Sequence, residues 1–371
     1  MGYLSAVDAQ LLSASRNGAR ALEEFVRSAR GASPSLVRDR LAELGLSVPT
    51  QGVARALSEQ PCPELHPLDY EWYFSRICAQ SVAEKLSQLP SPILCLGAPT
   101  VAKALAEIGH SVVLIDRNPL VEVRLGRLHD RIQLQTTDLT HLIRASHQFG
   151  TVFFDAPWYP EQEELWLWQA TRAVRPGGTI AFSLPPPLLR PMALTDRVAI
   201  LHEAERIGDV SIEEEVLTYD TPLFEAEALR ASGLPLLPNW RTSDLVLITN
   251  VRGLAERHAR DRFDRDIWDT WVIGCQVIKL RRTPGSNSTP PLQSIPGTVD
   301  WVYHSVSRRD PSRASIDLWT SRNRVAKVGQ WTLVVEALDA LSREEDGRSW
   351  LPVAVGGSDL ESLSAILDLQ R

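Results

Sequence analysis

The strongest constraint on the fold is a long alternation of apolar runs and amphipathic runs between about residues 68 and 252. The apolar runs predict strands over Pro92–Leu96, Ser111–Ile115, Ile132–Gln135, Thr151–Phe154, Thr179–Ser183, Glu213–Thr218 and Asp244–Thr249. The amphipathic runs predict helices over Ile77–Gln88, Val101–Ile108, Glu163–Val174, Asp196–Ile207 and Glu225–Ala231. Strands that alternate with helices are typical of an α/β fold with a parallel sheet covered on both faces. Such sheets bind ligands at the carboxyl ends of their strands.

Composition favours a folded chain and excludes several classes. The 371 residues suffice for two to three domains at roughly 150 residues each. The 44% hydrophobic and 23% charged residues are ordinary for a globular protein. No apolar run approaches the roughly 18 residues of a membrane helix, and we see no secretory signal pattern. We therefore expect a cytoplasmic protein that does not enter a membrane.

The cysteines and histidines give no sign of a metal centre. The four cysteines are Cys62, Cys78, Cys95 and Cys275, without CxxC or Cys/His spacing. This pattern argues against a disulfide scaffold and against zinc. No histidine lies at metal-ligand spacing from another ligand, so we expect no metal.

Residues 1–67 predict a helical N-terminal extension. Apolar spacing indicates a helix over Ala6–Ala29, a second from the cap Ser33 to the stop at Gly45, and a short third over Gln51–Ser58. Helix, glycine turn and helix are compatible with a DNA-binding helix-turn-helix. We favour a helical cap on the next domain, because few basic residues accompany these helices.

The C-terminal part predicts a separate small module. Residues 253–297 form an extension that ends in Thr283–Gly297, which is rich in Pro and Ser and predicts a linker. An apolar run, Trp271–Leu280, precedes that linker. The predicted module, 298–371, holds strand-like stretches at Trp301–Ser307 and Ser315–Thr320 and a helix over Trp331–Ser342.

Two strand ends indicate a nucleotide site. The first apolar strand runs directly into Gly97, and a helix begins within four residues, which brings free backbone N–H groups close to a ligand. About 19 residues later, the next strand ends in Asp116, at the place where an acid accepts hydrogen bonds from ribose hydroxyls. No phosphate-binding GK[ST] sequence follows, which argues against a P-loop.

The strand end at Asp155 is the most specific motif. The sequence Asp155-Ala-Pro-Trp158 follows the run Thr151–Phe154. Pro157 stiffens the turn, Trp158 can stack on a planar substrate, and Asp155 can accept from an amino group. Methyl transfer to an amine needs its nitrogen held in this way.

The order of these motifs resembles class I S-adenosylmethionine-dependent methyltransferases. The segment DAPW is similar to the (D/N)PP(Y/F/W) motif of amino-methyltransferases. The segment Glu71-Trp-Tyr-Phe-Ser75 is similar to a small family named for N6-adenine methyltransferases, which includes lysine methyltransferases acting on elongation factor 1A. The resemblance covers about residues 68–250. It implies a Rossmann-like seven-stranded methyltransferase sheet, here with the N-terminal extension and a small C-terminal α+β module.

The resemblance also implies roles for individual residues. Cofactor binding falls to Gly97, Ala98 and Pro99 beside the methionine part, Asp116 at the ribose and Asp138 near the adenine. Catalytic positions are Asp155, Pro157, Trp158 and Tyr73. The implied cofactor is S-adenosylmethionine, and the implied reaction is methyl transfer to an amino nitrogen, with adenine N6 in nucleic acid as the leading acceptor.

Two departures from the family pattern keep alternatives open. The first motif holds the single glycine Gly97, and Ala156 replaces the usual first proline of the second motif. A protein lysine methyltransferase is the enzymatic alternative. A catalytically degenerate fold that acts as a binding scaffold is the alternative from another class.

A basic segment near the C-terminus suggests a partner surface. Its residues are Arg308, Arg309, Arg313, Arg322, Arg324 and Lys327, interleaved with aromatic residues. Basic and aromatic residues together are typical of nucleic-acid surfaces. The net charge of −7 opposes non-specific binding by the whole chain, so an acidic or other protein partner is the alternative.

Overall fold

The computed structural model of the chain describes residues 2–46, 57–126, 130–139, 147–255, 268–282, 287–307, 310–343 and 363–367. The chain divides into two compact units. The first comprises residues 1–55, 72–221 and 237–262, and the second comprises residues 56–71, 222–236 and 263–371. The second unit therefore takes in residues 56–67 of the predicted N-terminal extension and residues 68–71 and 222–236 of the predicted α/β domain.

The N-terminal extension is helical. Its helices are α1 (Tyr3–Arg16), α2 (Leu22–Ser28) and α3 (Pro34–Glu43). The single helix predicted over Ala6–Ala29 is wrong, because the chain turns at Gly18, whose φ of +99° does not fit a helix. The predicted cap is present: Ser33 Oγ accepts from the Leu36 amide at 3.3 Å. The third predicted helix lies mostly outside the described residues.

The first unit is built on a seven-stranded sheet. Its strands are β1 (Ile93–Leu96), β2 (Val112–Asp116), β3 (Ile132–Thr136), β4 (Phe149–Phe154), β5 (Val174–Leu184), β6 (Asp209–Thr218) and β7 (Thr242–Thr249). Their order is β3-β2-β1-β4-β5-β7-β6, parallel except where β7 runs antiparallel to both its neighbours. The alternation in the sequence predicts all seven strands, and the α/β fold is confirmed.

Helices cover both faces of this sheet. They are α4 (Arg76–Ser87), α5 (Pro99–Glu107), α6 (Leu120–Leu125), α7 (Pro160–Ala173) and α8 (Ala193–Ile207). Successive side chains of a strand point to opposite faces. Ile93 and Cys95 of β1 accordingly pack in one core with α4 and α5, while Leu94 and Leu96 pack in the other with α7 and α8. Burial on both faces explains the uninterrupted apolar runs.

In its described residues the second unit contains a five-stranded antiparallel sheet flanked by helices. Its elements are α9 (Leu223–Ala231), β8 (Trp268–Ile273), β9 (Gln276–Arg281), β10 (Asn287–Gln293), β11 (Leu318–Thr320), β12 (Val325–Gln330) and α10 (Trp331–Arg343). The strand order is β10-β12-β11-β9-β8. The apolar run Trp271–Leu280 forms a hairpin with its turn at Gly274, where φ is +59°.

Three sequence predictions in this unit are wrong. The stretch predicted as a linker, Thr283–Gly297, contains β10, which tolerates its two prolines because it is an edge strand. The strand predicted over Trp301–Ser307 is irregular chain with isolated bridges at Val302. Only the end of Ser315–Thr320 is a strand, since Pro311–Ser315 forms a 3-10 helix.

A disulfide joins Cys62 and Cys275 within the second unit. Their separation of 213 residues explains why the sequence carried no spacing signal for it. Beside it, the Glu64 amide donates to the Cys275 carbonyl at 2.7 Å. Among the described residues, three or more potential metal ligands nowhere come together, and no helix is long and apolar enough to cross a membrane.

Candidate functional site

The parallel strands bring the predicted site residues to one edge of the sheet. Gly97 follows β1, Asp116 ends β2, Asp138 lies just past β3, and Asp155 follows β4. These four strands are adjacent and point the same way, so their carboxyl ends share an edge. The sequence-predicted cofactor positions and the DAPW motif therefore lie on neighbouring strands.

Gly97 forms a tight turn, and the structure shows a packing constraint on it that the sequence did not reveal. Its φ is +58°, and its amide donates to the Ile115 carbonyl at 2.9 Å. A Cβ at this position would lie 2.3 Å from the ring of Trp166 on α7. The glycine is thus required for helix packing, whereas sequence reasoning assigned its small size to the approach of a ligand.

The turn after Gly97 leaves a helix start without a side-chain cap. Ala98 is the residue that precedes α5, and it has no side chain able to accept from the helix amides. Pro99 occupies the first turn, where its lack of an N–H costs nothing. The remaining free amides of α5 suit an anionic or carbonyl group of a ligand.

Asp116 lies at the end of β2 and is only 7% exposed. Its Oδ1 accepts from the Asn118 amide at 2.8 Å, and Asn118 Oδ1 accepts from the Leu120 amide at 3.0 Å. These bonds fix the turn between β2 and α6. Asp138 is half-buried past β3. The uncapped helix start and the strand-end carboxylate could hold an adenosyl cofactor, and the ribose role of Asp116 stays a prediction.

Asp155 is a half-buried carboxylate held through one oxygen. Its Oδ1 accepts from Tyr219 Oη at 2.9 Å and from Ser183 Oγ. Both bonds that it accepts from described residues end on Oδ1, which leaves Oδ2 available to a ligand. Burial raises the pKa of Asp155 to about 7, although the bonds from Ser183 and Tyr219 oppose that shift. Asp155 can therefore exchange a proton near neutral pH.

Tyr219 is, with Ser183, one of the two described residues that donate to Asp155 Oδ1, and sequence reasoning missed it. Its hydroxyl also lies 3.2 Å from Ser243 Oγ, and its ring stacks on Phe74 with centroids 4.6 Å apart. Burial raises the pKa of Tyr219 well above 10, so its hydroxyl stays a donor. Its position directly after β6, at the end of a strand, was the available signal.

The turn after Asp155 is fixed from its backbone. The Tyr159 amide donates to the Pro157 carbonyl at 2.6 Å, and Arg190 Nη1 donates to the Trp158 carbonyl at 2.8 Å. Asp196 Oδ2 in turn accepts from Arg190 Nη2 at 2.8 Å. The ring of Trp158 meets Tyr219 edge-on at 5.4 Å. Backbone bonds and packing thus hold Trp158 beside Asp155.

Tyr73 belongs to the segment that precedes α4. Its hydroxyl accepts from Arg124 Nη1 at 3.3 Å, and its carbonyl accepts from the Asp220 amide at 2.9 Å. Its neighbour Phe74 stacks on Tyr219, as described above. The structure thereby brings Tyr73 and Phe74 next to the residues around Asp155.

Glu163 is a second buried carboxylate that the sequence did not indicate. It lies in the first turn of α7 and is 2% exposed. Burial raises the pKa of Glu163 to about 8, opposed by Arg190 and Arg197. Its Oε1 has no hydrogen-bond partner among the described residues. We expect it to be protonated at neutral pH.

The basic C-terminal residues bond mostly within the second unit. Arg313 is buried and donates to Tyr70 Oη at 2.8 Å, and Arg322 pairs with Glu64 at 3.1 Å. Arg324 donates to the Ala365 carbonyl, while Lys327 is exposed. Arg308 and Arg309 lie outside the described residues. The nucleic-acid surface stays a prediction.

Comparison with known proteins adds evidence on the fold. No protein-family model and no curated protein matches the chain. Among solved structures, the branched-chain polyamine synthase from Thermus thermophilus, in complex with N4-aminopropylspermidine and 5'-methylthioadenosine, matches at 17% identity and a TM-score of 0.53. The match covers 70% of this chain and 91% of that one. A C9 mutein of the same synthase matches at 18% identity and a TM-score of 0.54, over 70% of this chain and 90% of that one.

The tRNA (m1A58) methyltransferase TrmI from Aquifex aeolicus is a more distant match. Its identity is 13% and its TM-score 0.34, over 53% of this chain and 73% of that one. A likeness this low supports no inference about the chain. The sheet order and the polyamine synthase match together show the fold: the first unit has a Rossmann-like α/β fold similar to that of the polyamine synthase.

Proposed function

We propose that the protein transfers an alkyl group from an S-adenosyl sulfonium cofactor to an amine nitrogen. The observation that carries this proposal is Asp155, a carboxylate with one free oxygen and a pKa of about 7 at the edge of the sheet. S-adenosylmethionine would supply a methyl group on positively charged sulfur. Asp116 would hold its ribose, Asp138 would lie near its adenine, and the turn Gly97–Pro99 would receive its methionine part.

The chemistry required of this chain is positioning and proton removal. The amine nitrogen forms the new nitrogen–carbon bond as the carbon–sulfur bond breaks, and sulfur leaves as a neutral thioether. The proton released by nitrogen goes to Asp155 Oδ2. Tyr219 and Ser183 orient that carboxylate, and Trp158 forms a wall of the acceptor site. Catalysis by such a site is mostly placement of the nitrogen.

Adenine N6 in nucleic acid and a protein lysine remain the two acceptors that the DAPW motif suggests. A specific observation favours a third candidate, aminopropyl transfer to a polyamine-type amine. The polyamine synthase matches over 90% of its own length, well beyond one strand–helix unit. That protein was crystallised with an aminopropylated spermidine and 5'-methylthioadenosine. Aminopropyl transfer needs the same carboxylate and a decarboxylated cofactor.

The first experiment is thermal unfolding with and without S-adenosylhomocysteine, S-adenosylmethionine and 5'-methylthioadenosine. A ligand at about 100 times its Kd adds roughly 2.7 kcal/mol. For a unit of this size that is on the order of 5–10 °C. We expect the shift to disappear in Asp116→Ala and to persist in the control Asp209→Ala at the far end of the sheet. A well-folded protein without any shift would overturn the proposal and favour a binding scaffold.

The second experiment identifies the group transferred. The protein is incubated with S-adenosylmethionine or its decarboxylated form and with spermidine, adenine-containing oligonucleotides or a lysine peptide. Mass spectrometry then shows whether the product has gained a methyl or an aminopropyl group. Asp155→Asn should abolish the product in every case while cofactor binding remains.

A further inference from the structure

Three tryptophans from separate segments of the first unit surround one arginine. The guanidinium carbon of Arg241 lies 4.6 Å from the ring centroid of Trp240, 4.9 Å from Trp72 and 5.9 Å from Trp158. We name these three rings the tryptophan cage. Trp72 precedes α4, Trp158 follows β4, and Trp240 precedes β7. The fold thus brings the three rings together at the edge of the sheet where the parallel strands have their carboxyl ends.

The cage adjoins the carboxylate proposed to receive the proton. Trp158 meets Tyr219 edge-on, and the Tyr219 hydroxyl donates to Asp155. The Tyr219 amide also donates to the Arg241 carbonyl at 3.1 Å. The chain of contacts from the cage to Asp155 therefore passes through a single residue.

The chemistry of such a cage selects a cation. The face of an indole ring is negative, and a cation within about 6 Å of its centroid is attracted to it. Several such faces around one point favour an alkylammonium or guanidinium group over a neutral group. Here the guanidinium of Arg241 occupies that point.

We propose that the tryptophan cage binds the organic cation of the acceptor, an alkylammonium or guanidinium group, and that Arg241 is an internal ligand which the acceptor displaces. The inference rests on the proposed function insofar as it names the acceptor class of that site. A planar neutral base could not stack on this face of Trp158 without coming against the Arg241 guanidinium, and it carries no charge with which to replace that cation. A polyamine carries the cation that the cage fits.

The loop that carries Arg241 has polar atoms left over for a ligand. Trp240 is 5% exposed, and its Nε1 has no hydrogen-bond partner among the described residues. The same holds for the buried Oδ1 of Asn239, an acceptor suited to the N–H of a cation. Asn239 also adopts a φ of +53°, which is uncommon for a residue other than glycine. Buried polar atoms without partners are rare in folded proteins, so these two call for an explanation.

The test measures cation binding without cofactor, by calorimetry with spermidine and tetramethylammonium. Arg241→Met removes the internal cation and keeps an apolar side chain of similar length. We expect this variant to bind both probes at least about tenfold more tightly than the natural protein. The matched control is Arg252→Met, which removes an exposed arginine paired with Asp209 at 2.9 Å. It should bind as the natural protein does.

Unchanged or weaker binding in the Arg241→Met variant would overturn the proposal. The gain should be lost when Trp72→Leu is added, and its survival there would also overturn the proposal. If Arg241→Met does not fold, Arg241→Gln removes the charge with a polar side chain and is judged by the same criteria. Because no cofactor is present, a failed cofactor-binding experiment with intact cation binding would refute only the proposed transfer.

Discussion

At the scale of single residues, the proposed transfer predicts that Asp155 sets the pH at which a proton can leave the acceptor. Its raised pKa, about 7, predicts a transfer rate that rises with pH and levels off above that value. The bond from Ser183 favours the charged carboxylate, so Ser183→Ala should move the midpoint to higher pH. The check is kcat/KM for spermidine between pH 5 and about 9. A midpoint that stays in place would refute this role of Ser183.

The same pKa shift predicts a pH dependence of stability. The folded state holds the Asp155 proton more tightly than the unfolded chain does, because in the unfolded chain the pKa of this carboxyl is near the ordinary 3.8. Its contribution is therefore full below that value and is lost as pH rises through about 7. Asp155→Asn removes this dependence. As pH rises between these limits, the free energy of unfolding of the variant should therefore increase relative to that of the natural protein. Urea unfolding across that range measures the difference, and parallel curves would contradict it.

The sequence predicted candidate site residues where a strand end carried a recognisable group. Asp116 and Asp155 were predicted as site residues because each ends or follows an apolar strand, and their roles stay predictions. Tyr219 and Ser183 were missed, because their importance depends on β5 and β6 reaching the same edge as β4. Gly97 was found for a reason that the structure changes, since its packing partner Trp166 lies on a distant helix.

At the scale of elements, the N-terminal extension supports the loop between β5 and α8. Tyr3 Oη donates to the Leu188 carbonyl at 3.0 Å, and the Leu188 amide donates to the Arg30 carbonyl at 3.1 Å. Arg30 also pairs at 2.9 Å with Asp244, a fully buried residue of β7. The supported loop carries Arg190, which holds the Trp158 carbonyl. The extension therefore contributes to the geometry of the turn Asp155–Trp158.

This arrangement predicts the effect of Arg190→Met. A hydrogen bond from a charged donor contributes about 1.5–3 kcal/mol, so its loss should speed local amide exchange by about tenfold or more. We expect that increase in hydrogen exchange of the peptide over residues 156–164, with no change over 99–107. Arg206→Met, an exposed arginine of α8, is the matched control. Equal protection in both variants would refute the positioning role.

Elements were predictable where local patterning agrees with the tertiary environment. β1 is apolar throughout because both its faces are buried, and the sequence shows that directly. β10 was missed because two prolines and polar residues usually mark a loop. Its place at an edge removes the need for the missing donors. The break at Gly18 was missed because apolar spacing continues across it.

At the scale of the whole molecule, the second unit depends on contacts that no local pattern reveals. Glu64 is buried, and it accepts from Ser321 Oγ at 2.6 Å and pairs with Arg322. His66 Nδ1 accepts from the Leu68 amide at 3.1 Å, and its Nε2 lies 2.9 Å from the Trp319 carbonyl. Glu64 and its partner Ser321 are more than 250 residues apart along the chain. The domain boundaries could not be read from composition for this reason.

The disulfide Cys62–Cys275 ties the same segment to the hairpin of β8 and β9, and its removal predicts a specific loss of stability. A disulfide that closes a long loop stabilises by about 2–5 kcal/mol, chiefly by restricting the unfolded chain. Reduction should therefore lower the urea midpoint of the full-length protein, while the polar contacts of Glu64 and His66 keep the unit folded. Cys62→Ser should show the lower midpoint both with and without reductant. The free cysteines Cys78 and Cys95 are buried and give the reductant no other disulfide to act on. If reductant left the urea midpoint of the natural protein unchanged, the disulfide would contribute nothing to stability.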